Sequence, residues 1–408
     1  MKILISIGTR PEAIKLAPVI AAMKPLPGVA TTVCLTGQHP DLARSALRDF
    51  GIAEDRTLPV AGGQGTLADR FAHFQSALAS LLASEPHDWI VVHGDTASTL
   101  AGALAAFHAR VSVAHVEAGL RTGDLAQPWP EEGYRQMTAV VTRAHFAPTR
   151  RAADNLLAEG VPADRIEITG NTVVDALVRM RDRMLDDAEV RADLATWLLA
   201  LTGGRPHVLV TAHRRENHGA PMRRITAAVA DLAGRFPSRT FVVPVHPHPE
   251  VRKAMRAALS GLPNVELTGP LGYREFLYAM MNADLVLSDS GGVQEEAATF
   301  GVPLLVLRNT SERPEAVEAG MAELVGTDRG LIVARATHAL ARGRDGTGAA
   351  RGGNPFGDGN AARRIADHFA RLAGHGRPVG KSAPVVPFGR RAPAVALDLE
   401  GRRGQLKG

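Results

Sequence analysis

Short apolar runs of β-forming residues alternate with longer amphipathic segments along this chain, and the pattern runs twice. That alternation limits the fold more than any single residue does, because strands separated by helix-length segments imply βαβ units and parallel sheets. In the first half the strand candidates are 2–7, 31–36, 89–93, 111–116, 144–147 and 165–169; in the second they are 207–212, 240–245, 264–267, 284–288 and 302–307. A length of 408 residues exceeds one ordinary core and suits two domains of about 150 to 200 residues. The expected class is α/β, with two Rossmann-like domains whose parallel sheets face a cleft. Residues 1–171 form the first domain, joined by a last amphipathic helix at 360–373, and 172–359 form the second. One or two helices at 172–206 bridge the halves, and 341–359, rich in Gly and Arg, reads as a loop.

The net charge of +5 invites a nucleic-acid partner, but it is concentrated in one segment. After Gly376 stand seven basic residues (Arg377, Lys381, Arg390, Arg391, Arg402, Arg403, Lys407) against Asp398 and Glu400, so the body is neutral and no nucleic-acid partner is expected. The same segment, 376–408, reads as a disordered tail. The lone Cys34 lies in an apolar run and excludes a disulfide framework or a cysteine metal cluster. No charged leader precedes the first strand, and no stretch reaches the roughly 18 apolar residues that span a bilayer. Cytoplasmic residence without membrane insertion is the expectation.

In doubly wound sheets ligands sit beyond the carboxyl ends of the strands, and several loops there are unusual. The first strand ends in Gly8-Thr9-Arg10-Pro11-Glu12, with Lys15 farther on: cations beside a helix start make an anion site, the bland alternative being a turn with solvated charges. Ser288-Asp289-Ser290-Gly291-Gly292 leads into Glu295 and Glu296, so backbone N–H groups at a helix start can meet a phosphate and a carboxylate one turn later a ribose diol. The alternative for both glutamates is compensation of the helix dipole. Neither a P-loop nor GxGxxG is present, which argues against ATP hydrolysis and hydride transfer.

Asp95 and Glu117 end adjacent strands, and Glu131-Glu132 begin a helix. Close carboxylates at one sheet edge push one pKa up, so that one donates a proton and another accepts it. The alternatives are helix capping by Glu131 and Glu132 and an ion pair of Glu117 with Arg121. His213, after the strand at 207–212, suits a phosphate contact or acid–base work, a structural histidine being the alternative. His246 and His248 repeat that placement, but without HExxH or tight His/Cys spacing no metal is required.

Together these segments resemble the non-hydrolysing UDP-N-acetylglucosamine 2-epimerases, two-domain proteins of the GT-B fold. The resemblance runs in order through GTRPEAIKLAP, HGDTASTL, HVEAGLRTGD, WPEE, TGNTVVDAL, AHRREN, PVHPHP, SDSGGVQEE, RNTSERPEA and NPFGDG, covering the chain to about Leu372. It implies interconversion of UDP-GlcNAc and UDP-ManNAc for surface polysaccharide, by elimination of UDP to 2-acetamidoglucal and re-addition, without cofactor or metal. By this resemblance Asp95, Glu117 and Glu131 handle the C2 proton and the oxocarbenium-like state. Arg10, Lys15, Arg135, His213, Ser290, Gly291, Gly292, Glu296 and Arg313 hold the nucleotide sugar, with Phe276 beside the uracil, in a homodimer.

The chain departs from the family pattern at Tyr134, where Asn is usual and a phenol near Glu131 would alter the sugar pocket, and at Pro40-Asp41, where Asp41 would repel an activating second UDP-GlcNAc. The rival readings are a hydrolysing epimerase that releases ManNAc and UDP, a GT-B glycosyltransferase with an acceptor site, and a non-catalytic UDP-sugar sensor. The HGDT and EEGYR segments look closer to the non-hydrolysing branch, a glycosyltransferase need not carry all three carboxylates, and their presence speaks against the sensor.

Overall fold

The computed structural model describes residues 1–60, 65–311, 313–343 and 353–374. Its first sheet consists of β1 (Lys2–Ile7), β2 (Ala30–Leu35), β3 (Arg56–Thr57), β4 (Trp89–His93), β5 (Ser112–Val116), β6 (Ala144–Ala147) and β7 (Ile166–Ile168). All pairings are parallel, in the order β3-β2-β1-β4-β5-β6-β7. The second sheet consists of β8 (His207–Thr211), β9 (Thr240–Pro244), β10 (Val265–Thr268), β11 (Leu285–Ser288), β12 (Leu304–Val306) and β13 (Ala322–Leu324). It too is parallel, ordered β10-β9-β8-β11-β12-β13. Central strands such as β4 (WIVVH) and β8 (HVLVT) are buried along their whole length, as expected of strands covered by helices on both faces.

In each sheet the winding reverses once, between β1 and β4 and between β8 and β11. A crevice opens at such a reversal because neighbouring connections leave on opposite faces. Arg10, at the start of the helix Arg10–Met23, and Asp95, His213 and Ser290 directly follow these four strands, so expected site residues stand at both reversals.

Every expected strand is present, with ends moved by a residue or two: Arg165 belongs to a 3-10 turn, Ala163–Arg165, so β7 starts later. The edge strands β3 and β13 escape sequence reading. β3 is two exposed residues, Arg and Thr, and β13 is Ala-Glu-Leu; neither is long enough to show a period. Helices Thr172–Asp186 and Ala188–Thr202 link the sheets. The last described helix, Ala361–Leu372, buries Ala362, Ile365, Ala366 and Phe369 on one stripe. It returns to the first sheet, where Phe369 packs edge-on against Trp89 and Phe146, with ring centroids 5.6 and 6.1 Å apart.

One apolar cluster runs from Ile5 and Leu16 through Val174 and Leu177 of the linking helix to Val293 and Ala297 beneath the second sheet. The two domains therefore meet on a hydrophobic seam. Among the described residues no helix is long and apolar enough to cross a membrane. The tail at 376–408 and residues 344–352 of the expected loop lie outside the described residues.

Candidate active site

The two reversals face one another across a cavity of ≈ 680 Å³. From the first domain Arg10, Lys15, Asp95, Glu117, Glu131 and Arg135 line it; from the second come His213, Phe276, Ser290, Gly292, Glu296 and Arg313. Of the residues expected in the site only Gly291 is set back from the wall.

Glu117 follows β5 with φ +64°, a left-handed backbone that few non-glycine residues adopt and that collects at functional sites. The turn is possible because Gly119 (φ +87°) comes so close to the Ala152 carbonyl that a Cβ there would lie 2.1 Å from its oxygen. The Glu117 carboxylate binds the Lys15 ammonium and accepts a hydrogen bond from Asn171 Nδ2 at 3.0 Å. Burial pushes its pKa up, but the charges of Lys15 and Arg313 outweigh burial and hold it well below the usual carboxylate range. The expected upward push between neighbouring carboxylates thus fails at Glu117, because a cation sits against it. The alternative pairing with Arg121 is also absent; Arg121 binds Glu159 at 2.6 Å.

Asp95 is engaged by Arg135, which also donates to Glu132 at 3.2 Å. Arg135 therefore orients a carboxylate as well as facing the cavity. The adjacent glutamates of the helix Glu131–Val141 divide their roles. Glu132 is fully buried and accepts from the N–H groups of Thr122 and Gly123 at 3.1 and 3.3 Å, while Glu131 faces the cavity.

Glu12, His93 and Arg214 are among the lining residues that the sequence reading left out. Glu12 accepts the Gly8 N–H at 2.7 Å and the Thr9 hydroxyl at 3.0 Å, and burial raises its pKa to about 7. Its signal was present as Thr9-x-x-Glu12, a capping-box spacing. His93 lies with Nε2 3.8 Å from Glu117, and burial lowers its pKa to about 4, so its ring is neutral.

On the opposite wall Asp289 is fully buried, accepting from the backbone N–H groups of His213 and Arg214 and from Asn217 Nδ2, each at 2.9 Å. It pins the loop after β8 to the end of β11. His213 stacks on His246 with centroids 5.3 Å apart, and burial lowers its pKa. Gly291 opens the helix Gly291–Phe300 with no side-chain cap on its first N–H groups. A Cβ at Gly291 would stand 2.8 Å from Arg313 Nη1 and 3.3 Å from Arg214 Nη2. Two guanidiniums beside a free helix N-terminus form an anion site suited to a diphosphate, and Gly291 makes room for them.

Glu295 is turned inward onto Arg313 Nε at 2.8 Å and Asn171 at 3.1 Å. Glu296 faces the cavity, its pKa raised to about 7 by burial and by the charge of Glu295. Arg10 lies over the Tyr273 ring, 5.6 Å from its centroid, one helical turn from Phe276.

Two expected departures take a different form. Tyr134 is not among the residues that line the cavity; it stacks on Phe71 with ring centroids 6.3 Å apart, and burial first, then the charge of nearby Glu131, raises its pKa. Asp41 is exposed and pairs with Arg44 at 3.1 Å, which offsets its charge. Among the described residues one group could hold a metal ion, His218, His248 and Glu250, and none of the three lines the cavity.

A family model described as UDP-N-acetylglucosamine 2-epimerase matches residues 21–370. The UDP-N-acetylglucosamine 2-epimerases of Yersinia pestis and Escherichia coli are each 44% identical to this chain over 366 residues, or 90% of it and 97% of theirs. The crystal structure of UDP-GlcNAc 2-epimerase from Neisseria meningitidis bound to UDP-GlcNAc superposes with a TM-score of 0.84 at 39% identity, covering 91% of this chain and 100% of that one. The two facing parallel-sheet domains are thus those of the GT-B fold.

Proposed function

Since the chain belongs to the UDP-N-acetylglucosamine 2-epimerase family, we propose that it interconverts UDP-GlcNAc and UDP-ManNAc without net hydrolysis. The observation that supports this reading best is one cavity holding an ionised, cation-braced Glu117 opposite a helix N-terminus flanked by Arg214 and Arg313. Elimination needs both. A carboxylate takes the C2 proton while the C1–O bond breaks, its electron pair leaving on UDP and the C2–H pair forming the C1=C2 bond of 2-acetamidoglucal. The N-terminus of Gly291–Phe300, Arg214 and Arg313 stabilise charge as it grows on the diphosphate. Re-addition reverses these movements, with the proton returned to the other face of C2. Glu117 suits the accepting role, and of the three carboxyls that the resemblance implies Asp95 and Glu131 are left for the return. Enclosure between two domains keeps the neutral glucal from escaping and water from trapping the cation-like state.

Proton NMR of the protein with UDP-GlcNAc in heavy water tests the reading. UDP-ManNAc deuterated at C2 with little free UDP is expected; accumulation of ManNAc and UDP would mean a hydrolase, and no reaction would remove the reading.

The same reading carries a cytoplasmic enzyme feeding surface-polysaccharide synthesis and acting as a homodimer. Phe107, Met137 and Val140, exposed by 57%, 48% and 85% on neighbouring helices of the first domain, support self-association. Light scattering is expected to give twice the chain mass, and a monomer at micromolar concentration would refute the dimer.

A further inference from the structure

Asn171 stands at the seam between the two walls of the cavity. It is 2% exposed and precedes the linking helix Thr172–Asp186. Its Oδ1 accepts the Val173 N–H at 3.0 Å and caps that helix. Its Nδ2 donates twice, to Glu117 Oε1 at 3.0 Å in the first domain and to Glu295 Oε1 at 3.1 Å in the second. An amide has two N–H bonds and one carbonyl, so all three roles are assigned and the orientation of the group is fixed by its partners. Beyond Glu295 lies Arg313, which donates Nε to the same Oε1 at 2.8 Å and lies beside the anion site at Gly291. Lys15 binds Glu117 on one side and lies 3.5 Å from Glu295 Oε2 on the other.

We propose that Asn171 is a positioning residue that ties the seating of Glu295 and Arg313, and with them the leaving diphosphate, to the orientation of Glu117. One donor shared by two carboxylates from different domains is satisfied only when both are in place. Misplacing either leaves a buried donor or carboxylate unpaired, which is costly. The diphosphate side therefore communicates with the proton-abstracting side through this amide, with Lys15 as a second bridge between the same two carboxylates. This inference rests on the epimerase reading for the role of Glu117.

Two variants separate positioning from capping. Asn171→Ser keeps a short oxygen for the cap and removes the double donor; Asn171→Asp keeps Oδ1 in place and sets a third carboxylate between Glu117 and Glu295. Asn171→Ser is expected to unfold within a few degrees of the parent and to bind UDP, by calorimetry, within about threefold of it; Asn171→Asp, which buries a third carboxylate beside two others, is expected to unfold at a lower temperature. Turnover of UDP-GlcNAc, read by C2 deuterium incorporation, is expected to fall by about 10- to 100-fold with KM little changed, the scale of a misplaced catalytic group. Losing the donor also weakens the ionised form of Glu117, so the acid limb of the kcat–pH profile moves to higher pH, farther for Asn171→Asp. Parent turnover with an unmoved pH profile in Asn171→Ser would overturn the proposal while leaving the epimerase reading intact. A parent protein that binds UDP but exchanges no C2 proton would bring down both.

Discussion

Glu117 is a carboxylate because Lys15 makes it one. Replacing it by Gln removes the charge but preserves shape, and under the proposed role of Glu117 the loss of a general base is worth about 10²- to 10⁴-fold in rate. C2 exchange is expected to fall by that factor in Glu117→Gln while UDP affinity, measured by calorimetry, stays near that of the parent. Glu12 behaves oppositely. Burial raises its pKa from 4.5 to about 7, so between these values the folded state holds a proton that the unfolded state has released, and stability declines as pH rises through that window. In Glu12→Gln this decline disappears. The difference in unfolding midpoint between parent and variant, followed by calorimetry from pH 4.5 to 7, should shift steadily against the parent; a constant difference would show that Glu12 titrates normally. The Thr9-x-x-Glu12 spacing was legible in the sequence because it is local. The Lys15–Glu117 pair was not, because 102 residues separate its members and only the order β1-β4-β5 brings them together.

At the scale of the element, the helix Gly291–Phe300 shows how close approach selects glycine. In Gly291→Ala the new methyl would meet the ends of two flexible guanidiniums, which can swing away without disturbing the backbone. Stability should therefore hold while the anion site opens. UDP affinity is expected to weaken by roughly tenfold, the loss of about one charged hydrogen bond, with the unfolding midpoint unchanged; a large drop in the midpoint would mean that the glycine serves packing instead. The Ser-Gly-Gly sequence announced this helix start, and strands such as β4 and β8 announced themselves by apolar runs. Edge strands β3 and β13 did not, having only two and three residues. The contact between Gly291 and Arg214 was equally hidden, since it arises where β8 and β11 lie side by side.

For the whole molecule, the seam and the returning helix Ala361–Leu372 matter most. Phe369 is fully buried against Trp89 and Phe146, and truncation of such a ring costs about 3–5 kcal/mol. Phe369→Ala is expected to lower the unfolding midpoint by several degrees, read by calorimetry, although the residue lies far along the chain from the sheet it covers. The doubling of the βαβ pattern disclosed the two-domain plan, and the last amphipathic helix was expected to join the first domain; the rings it meets there, Trp89 and Phe146, the sequence does not name. Its placement has a consequence for biosynthesis. A chain leaving the ribosome presents β1 to β7 first, yet Trp89 and Phe146 keep an uncovered apolar face until residues 361–372 have emerged some two hundred positions later. The domain made first is completed last, and until then it depends on the second domain folding without capturing that face.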